Sequence, residues 1–467
     1  MNSTEPSPLS HGQLYSWREV ESYPPGWQAE ANLSSTWDLR GLAPDRAAAA
    51  LRRLVALHEP LRTCYETGPG GVPAQLVHPV DGDGPGARTG SAATGLPAAI
   101  AHTDRRITDF GDPARTTEAL AAQAIPMTGG PCWRGEYVTT DGAPMFLSLS
   151  FSHLILDVWS VIELVRRFRT LCADPEAGLG AGVSQRDLAA TQHTEPWQNR
   201  QASAEKYWRG LLADAPAGFL PALPTLTTGQ TKPRLQATLH SHRLTALAAE
   251  AARNHAVTVP AVLLALVTAA LTDHLGTDGA VISLMSNNRF APEHRSAVGT
   301  LNQLIPVILP TDRAGTLAEH VKRTHWAGAR AYRHSCYDVD RIAALAAEGA
   351  PAGTPPDGWF NRLFPAWFNY LPFDDRIADP TDTAPAELVW TERPREYGQP
   401  FDVRITAQNG RTSVQLRTDP DVVDAEALTG ILRTVAFGVR RVLSAPESGL
   451  KELWSSAEPE PEPELFP

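Results

Sequence analysis

The 467-residue chain is too long for one hydrophobic core and predicts two domains of ordinary size. Its composition, 42% hydrophobic and 20% charged, is that of a globular protein, and a net charge of -11 argues against nonspecific nucleic-acid binding. The four cysteines show no CxxC or Cys/His ligand spacing, so we expect buried thiols in a reducing compartment and neither a metal site nor a disulfide framework.

The N-terminal residues and the longest apolar stretch both bear on location. The N-terminus, MNSTEPSPLSHG, is polar and lacks the apolar centre of a secretory signal. The apolar stretch 257–271 is broken by Pro260 and is shorter than the ~20 residues of a membrane span, so it predicts a buried helix. We therefore expect a cytoplasmic protein with no membrane partner. We also expect it to be a monomer.

In the first half of the chain, predicted helices alternate with predicted strands. Residues 44–57 carry apolar side chains at helical spacing after an early proline, which indicates a helix. A short helix is predicted at 117–125 and strands at 133–139 and 145–151, the latter from alternating apolar and small polar residues. Residues 160–171 have the pattern of an amphipathic helix.

The second half repeats this order of elements loosely. The predicted elements are helices at 203–212, 261–273 and 424–443, and strands at 280–284, 305–309 and 413–417. Residues 173–194 are poor in large apolar side chains and contain GLGAG, which places an inter-lobe linker at 179–200. The chain then divides into an N-terminal lobe at 1–178 and a C-terminal lobe at 201–455.

Loops are predicted where turn-forming residues accumulate. The Gly/Pro/Ala-rich segment 81–97 is expected to be a surface loop, and 346–358 and 374–394 are expected to be long loops. The acidic tail 456–467, which contains EPEPEPELFP, cannot bury enough apolar surface to fold alone. We expect it to be disordered.

The sharpest local signal is the segment FSHLILDVWS, residues 151–160. A predicted strand ends near His153, and Asp157 stands four residues later, just ahead of a predicted helix. Histidine exchanges protons near neutral pH, while the aspartate is suited to cap the helix or to bind an arginine. By themselves these residues fit a structural role as well as a catalytic one.

This segment resembles the HHxxxDG motif of nonribosomal-peptide condensation domains, which are related to chloramphenicol acetyltransferase. Other stretches resemble further motifs of that family, in the correct order and over nearly the whole chain. They are LSHGQLY (9–15), HEPLRT (58–63), VGTLNQLIP (298–306), FNYL (368–371) and PFDV (400–403).

The resemblance implies an α/β (α+β) fold of two chloramphenicol-acetyltransferase-like lobes, set in a V around a central tunnel. It implies that His153 is the catalytic histidine and that Asp157 is the structural aspartate. The partner of that aspartate would be an arginine, with Arg289 the first candidate and Arg62 the second. The positions expected to face the tunnel or the substrate are Ser152, Val158, Trp159, Asn302 and Asn369.

The activity implied is that of a condensation enzyme of a natural-product pathway, and we expect it to be free-standing because the sequence shows no adenylation motif and no carrier serine motif. It would transfer an acyl or aminoacyl group from an acyl or peptidyl carrier protein to a small amine or alcohol, forming an amide or an ester. The chain itself would bind no cofactor, because the substrate is carried on the phosphopantetheine of a separate carrier protein. His153 would take the acceptor's proton or orient the acceptor, and the sequence leaves both roles open.

Two alternatives remain: a noncatalytic platform that recruits a tailoring enzyme to a carrier-bound peptide, and an acyltransferase that uses coenzyme A thioesters. Ser152 stands where the motif has its first histidine, Val158 where it has glycine, and Leu57 where an arginine often precedes HExLRT. A branched side chain at 158 would narrow the tunnel. A basic cluster at Arg166, Arg167 and Arg169 is suited to dock an acidic carrier, or is a solvated helix face.

Overall fold

The chain forms two compact units in a computed structural model that describes residues 5–23, 26–80, 96–107, 109–214, 233–348, 364, 366–373, 386–391 and 399–455. The first unit comprises Met1–Ala202, Asn287–Gln303 and Cys336–Arg341. The second comprises Ser203–Ser286, Leu304–Ser335 and Ile342–Pro467.

The first unit contains two small sheets and the helices packed on them. Its strands are β1 (Ser7–Pro8), β2 (Asn32–Asp38), β3 (Thr63–Thr67), β4 (Pro73–Val77), β5 (Ile100–Asp104), β6 (Trp133–Thr140) and β7 (Ala143–Ser152). Its helices are α1 (His11–Glu21), α2 (Pro44–Leu57), α3 (Asp112–Ala121), α4 (Val158–Ala173) and α5 (Gln185–Gln192). The sheet orders are β1-β4-β3 and β2-β7-β6-β5, antiparallel except for the pair β5 and β6.

A continuous apolar core explains why β7 lies at the centre of the first unit. The last seven residues of β7, 146–152, are all buried, and the strand pairs with β2 on one side and β6 on the other. Helices α2 and α4 bury their apolar stripes in the same core, with Leu51, Leu54 and Phe168 nearly inaccessible. This packing brings the end of β7 and the start of α4 to one place.

The second unit is built on one seven-stranded sheet of order β10-β9-β11-β13-β14-β8-β12. Its strands are β8 (Leu235–Ser241), β9 (Gly279–Ser286), β10 (Gln303–Pro310), β11 (Ala366–Pro372), β12 (Glu387–Trp390), β13 (Phe401–Gln408) and β14 (Arg411–Thr418). Its helices are α7 (His242–His255), α8 (Val259–Leu275), α9 (Leu317–Tyr332), α11 (Ala425–Ser444) and α12 (Glu452–Ser455). Two further helices, α6 (Glu195–Asp214) and α10 (Val339–Glu348), cross the boundary between the units.

Helix α8 is the buried helix predicted from the apolar stretch. Residues 261–272 are all buried, and Pro260 lies in the first turn behind Thr258 instead of breaking the helix, because a first-turn proline lacks only an N–H that has no helical partner. Among the described residues, no single helix has the length and hydropathy of a membrane span. Helices α7 and α8 have that length and hydropathy only when they are taken together, and the pair is bent by 100°.

Several boundaries differ from the sequence expectations. The helix predicted at 117–125 is α3 and begins five residues earlier, with a proline in its first turn. The predicted linker 179–200 contains α5 and the start of α6 and belongs to the first unit, which also takes in 287–303 and 336–341 from the predicted C-terminal lobe. Long-range packing, which composition does not report, decides these assignments.

The predicted loops are described only in part. Part of the predicted loop 374–394 is a strand, β12, which pairs with β8. The composition of the segment did not predict a strand because the hydrogen bonds that stabilise it come from β8, which is distant in the sequence. Residues 346–348 belong to α10. The remaining residues of the predicted loops at 81–95, 349–358, 374–385 and 392–394, and the acidic tail 456–467, lie outside the described residues.

Two buried histidines in the first unit make its stability depend on pH. Burial lowers the pKa of His58 to about 3, and burial with nearby His193 and Arg341 lowers the pKa of His11 to about 4. Above pH 6.5 each is neutral whether the chain is folded or unfolded. Below 6.5 the unfolded chain takes up protons that the folded chain does not, so stability falls by up to about 1.4 kcal/mol per pH unit per histidine.

We therefore expect the melting temperature to fall between pH 7 and pH 5. His58→Leu removes one titrating group. The melting temperature should therefore fall less steeply with decreasing pH, by the contribution of one proton taken up on unfolding. Melting followed by circular dichroism at half-unit steps measures this. Slopes that are equal in the variant and the wild type would contradict the assignment to His58.

Candidate active site

His153 lies in the short connection between β7 and α4. Strand β7 ends one residue before it, and Asp157 is the N-cap residue of α4. The backbone N–H of His153 donates to the carbonyl of Ala31, 3.1 Å away. The histidine side chain is half-buried, while residues 154–156 after it are fully buried in the core. The connection therefore has a fixed backbone and carries a partly accessible imidazole.

Two side chains from distant segments hold the carbonyls of this connection. The hydroxyl of Thr300 donates to the carbonyl of His153 at 2.5 Å, and the hydroxyl of Tyr65 donates to the carbonyl of Leu154 at 2.6 Å. Tyr65 in turn accepts a hydrogen bond from Nε2 of Gln13 at 3.0 Å. The segments around residues 13, 65 and 300 together set the position of His153.

The LSHGQLY stretch has a physical role at this site. Ser10 and Gln13 form a capping box that begins α1. A Cβ on Gly12 would lie 2.4 Å from the carbonyl oxygen of Thr300, so only glycine lets α1 approach the segment that binds His153.

Asp157 and Arg289 form a buried, bidentate ion pair. Nη1 of Arg289 lies 2.7 Å from Oδ2 and Nη2 lies 2.9 Å from Oδ1 of the aspartate. The carboxylate also accepts from the backbone N–H groups of Ser160, at 2.9 Å, and Leu301, at 3.1 Å. Side-chain exposure is 4% for the arginine and 2% for the aspartate. Every carboxylate oxygen therefore has donors, as a buried charge requires.

The pKa of Asp157 reflects this balance. Burial acts to raise it, but the charge and hydrogen bonds of Arg289 and the backbone donors of Ser160 and Leu301 outweigh burial and leave it below the usual value. The aspartate is therefore ionised at neutral pH. It cannot serve as a proton donor there, and its role is to anchor the start of α4.

Ser160 links the helix to the segment that follows Arg289, and sequence reasoning did not single it out. Its hydroxyl oxygen lies 2.6 Å from the carbonyl oxygen of Gly299 and 2.9 Å from Oδ1 of Asp157, and its one hydrogen serves one of these acceptors at a time. It accepts from the backbone N–H of Gly299 and from Nη2 of Arg289, both at 2.9 Å. Gly299 itself has φ 155°. The only sequence signals were a serine three residues after the capping aspartate and the glycine of VGT.

A family model described as "Condensation domain" matches residues 4–462. The chain belongs to the condensation-domain family. Condensation domains form amide or ester bonds and work with carrier proteins and acceptor substrates.

Curated and solved proteins are similar to this condensation domain over most of its length. Cyclosporin synthetase of Tolypocladium inflatum is 25% identical over 447 residues, 90% of this chain. The chain spans only 3% of the length of that synthetase.

Two solved structures have the same fold as this chain. The first condensation domain of the calcium-dependent antibiotic synthetase, in complex with a substrate analogue, matches with a TM-score of 0.69 at 18% identity, covering 97% of this chain and 99% of that one. A structure reported as the basis for condensation domain-mediated chain release from the enacyloxin polyketide synthase has a TM-score of 0.70 at 18% identity, covering 96% and 85%. The predicted family and the mixed, chloramphenicol-acetyltransferase-like fold are thus confirmed.

Arg62, the second candidate partner of Asp157, lies elsewhere in the first unit. Its Nε donates to the carbonyl of Val55 at 3.0 Å, and its Nη1 donates to the carbonyl of His78. Arg62 therefore ties α2 to the end of β4, and Arg289 is the arginine that the structure brings to Asp157.

The five positions predicted to face the tunnel or the substrate lie in both units. Ser152 is 5% exposed, and its hydroxyl accepts from the N–H two residues on. Val158 and Trp159 are half-buried in the first turn of α4. Asn302 is 6% exposed in the first unit, and Asn369 is 8% exposed on β11 of the second. Their roles toward substrate stay predictions, as does the V with its tunnel.

Two arginines of the basic cluster on α4 are paired within the helix. Glu163 accepts from Arg166 and from Arg167, with both contacts at 2.6 Å. Arg167 is 4% exposed and also donates to the carbonyl of Gly180. Arg169 is exposed. The single carboxylate of Glu163 offsets one of the three positive charges, and carrier docking at this cluster stays a prediction.

Proposed function

We propose that this condensation domain transfers an acyl or aminoacyl group from a carrier-bound phosphopantetheine thioester to an amine or hydroxyl acceptor, with His153 at the reaction centre. The observation that carries the proposal is the held backbone of His153, which receives one hydrogen bond from Thr300 and gives one to Ala31. The flanking Asp157–Arg289 pair anchors the helix that begins four residues later.

The reaction asks for placement and one proton transfer. The acceptor nitrogen or oxygen attacks the thioester carbonyl carbon, a C–N or C–O bond forms, and the C–S bond breaks. The acceptor's proton passes to His153 and then to the departing thiolate of phosphopantetheine. A thioester is already activated toward attack by an amine or a hydroxyl. Holding the two reactants together lowers the activation free energy by several kcal/mol, even before a base removes the proton.

Intact-mass analysis tests the proposal. An acyl-loaded carrier protein is incubated with amine and alcohol acceptors, with and without the full chain. We expect loss of the acyl mass from the carrier and gain of an amide or ester product only when the chain is present. Parallel reactions with acyl-coenzyme A in place of the carrier separate a coenzyme A-dependent acyltransferase from the proposed one.

Val158 supports a second candidate, the noncatalytic platform. It replaces the motif glycine and is half-buried in the first turn of α4. Carrier binding without turnover of any acceptor in the same assay would favour the platform.

We expect Val158→Gly to widen the range of accepted acceptors or to raise a weak activity, because it removes the branched side chain five residues from His153. The glycine should lower stability by about 1 kcal/mol through added backbone freedom. Val158→Ala removes the same bulk without that freedom and is the matched control. Acceptor profiles by mass spectrometry, identical in wild type and both variants, would show that Val158 does not limit access.

A further inference from the structure

A cavity with two arginines lies on the face of the seven-stranded sheet that carries Arg404 and Ser413 in the second unit. It has a volume of about 500 Å³, within the range of small-molecule sites, and its lining includes Arg404, Arg411, His240 and His242. No acidic side chain is among its described lining residues. In a chain of net charge -11, this concentration of positive charge is a local exception.

Strand register explains why these side chains share one face. Residues that are directly paired across neighbouring strands project to the same side of a sheet. Ser413 of β14 pairs with His240 of β8 and with Thr406 of β13. The next row along the strands pairs Gln415 with Thr238 and Arg404. Two adjacent rows therefore present hydroxyl and amide groups, beside the imidazole of His240 in one row and the guanidinium of Arg404 in the other.

The ends of the cavity add further positive potential. His242 is the first residue of the 14-residue helix α7, so the N-terminus of that helix lies at the cavity rim. Arg411 is exposed on β14, next to the tight hairpin turn at Asn409 and Gly410. Within the described part of the chain, no carboxylate lies within ion-pair distance of Arg411.

The nearest acidic groups are limited in effect. Glu387 of β12 is directly paired with His240 and is exposed at the sheet edge. Asp402 lies on the same face as Arg404, two residues before it, but is already bound by Arg417. Burial, then Arg411, lower the pKa of His240, while Glu387 acts to raise it. The imidazole of His240 is therefore largely uncharged at neutral pH, and the positive charge of the cavity comes from the guanidinium groups of Arg404 and Arg411.

We propose that this cavity binds a phosphorylated small molecule, with the phosphate oxygens held by Arg411 and Arg404 and by the hydroxyl and amide groups between them. Guanidinium groups bind phosphate oxygens in pairs, and neutral hydroxyl and amide donors complete the shell of such anions. The inference does not depend on the proposed acyl transfer.

Isothermal titration of the full chain with inorganic pyrophosphate tests the site. We expect saturable binding at low ionic strength that weakens as salt is added. Arg411→Gln should weaken it about tenfold or more, since a charge-assisted bond is lost at an exposed position that the fold does not need. Arg333→Gln, at another exposed arginine of the second unit, should bind as the wild type does.

Further arms identify the source of the phosphate and keep the test independent of folding. Adenosine diphosphate and 4′-phosphopantetheine are titrated in parallel, and tighter binding of either than of pyrophosphate identifies a nucleotide or a carrier arm. Thr406→Glu places a carboxylate in the central row and should abolish binding, with the melting temperature measured alongside. Absence of binding to the wild type, or equal binding to the wild type and Arg411→Gln, would overturn the proposal.

Discussion

Replacing His153 by alanine is expected to lower acyl transfer by about 10²–10⁴-fold while leaving the fold intact, the usual loss when a general base is removed. The contacts that fix residue 153, to Ala31 and from Thr300, use its backbone and survive the substitution. The measurement is the rate of product formation by intact-mass analysis, with circular dichroism to confirm folding.

The matched control for His153 is His102→Ala. His102 is exposed on β5 of the same unit, and its imidazole contacts the hydroxyl of Thr139 and the ring of Tyr137. This variant should turn over at the wild-type rate. If His153→Ala also kept that rate, the histidine would be excluded as base, and orientation of the acceptor would have to come from other groups. A kcat that falls with an unchanged KM would point to proton transfer.

Asp157→Ala is expected to destabilise the protein by about 3–5 kcal/mol, because it leaves the guanidinium of Arg289 buried without its counter-charge. The backbone N–H groups of Ser160 and Leu301 lose their acceptor at the same time. The melting temperature should fall by several degrees, or the variant should fail to accumulate. Thermal melting and the soluble yield report the effect.

Two further variants separate the buried ion pair from a general effect of removing a carboxylate. Asp38 pairs with Arg40 on the surface, with side chains 54% and 66% exposed, so Asp38→Ala should change the melting temperature little. The double variant Asp157→Leu with Arg289→Met removes both charges and should be less destabilised than Asp157→Ala alone. An Asp157→Ala protein that melts as the wild type does would contradict an anchoring role.

The elements near the site were predictable because their signals are local. Helix α2 has the bounds predicted for it, 44–57, since a proline opens it and its apolar stripe ends where it does. Strand β7 extends the predicted strand by two residues at the start and one at the end, and α4 begins directly after its capping aspartate. The tight spacing of strand, histidine, aspartate and helix is a property of a few neighbouring residues.

Partners far apart in the chain were not predictable in the same way. Arg289 and Arg62 were both candidates for Asp157, and spacing could not choose between them, because the partner lies 132 residues away. Packing places Arg289 beside the start of α4. Arg62 instead binds the carbonyl of Val55 in α2 and that of His78, the residue after β4. The hydroxyl of Ser160 carries no sequence signature for its bonds to Gly299, 139 residues away.

By itself, the sequence determined the ordered set of motifs, the strand that ends at His153 and the aspartate that begins the next helix. These follow from periodicity, capping chemistry and residue order, all of which can be read directly from the amino-acid sequence. Only the tertiary structure decided that Thr300 and Tyr65 hold the histidine connection, that Glu163 pairs with Arg166 and Arg167 on α4, and that arginines of two neighbouring strands meet on one sheet face. Such contacts depend on which surfaces are buried against each other. That is decided only when the whole chain packs, because the partners are far apart in the sequence.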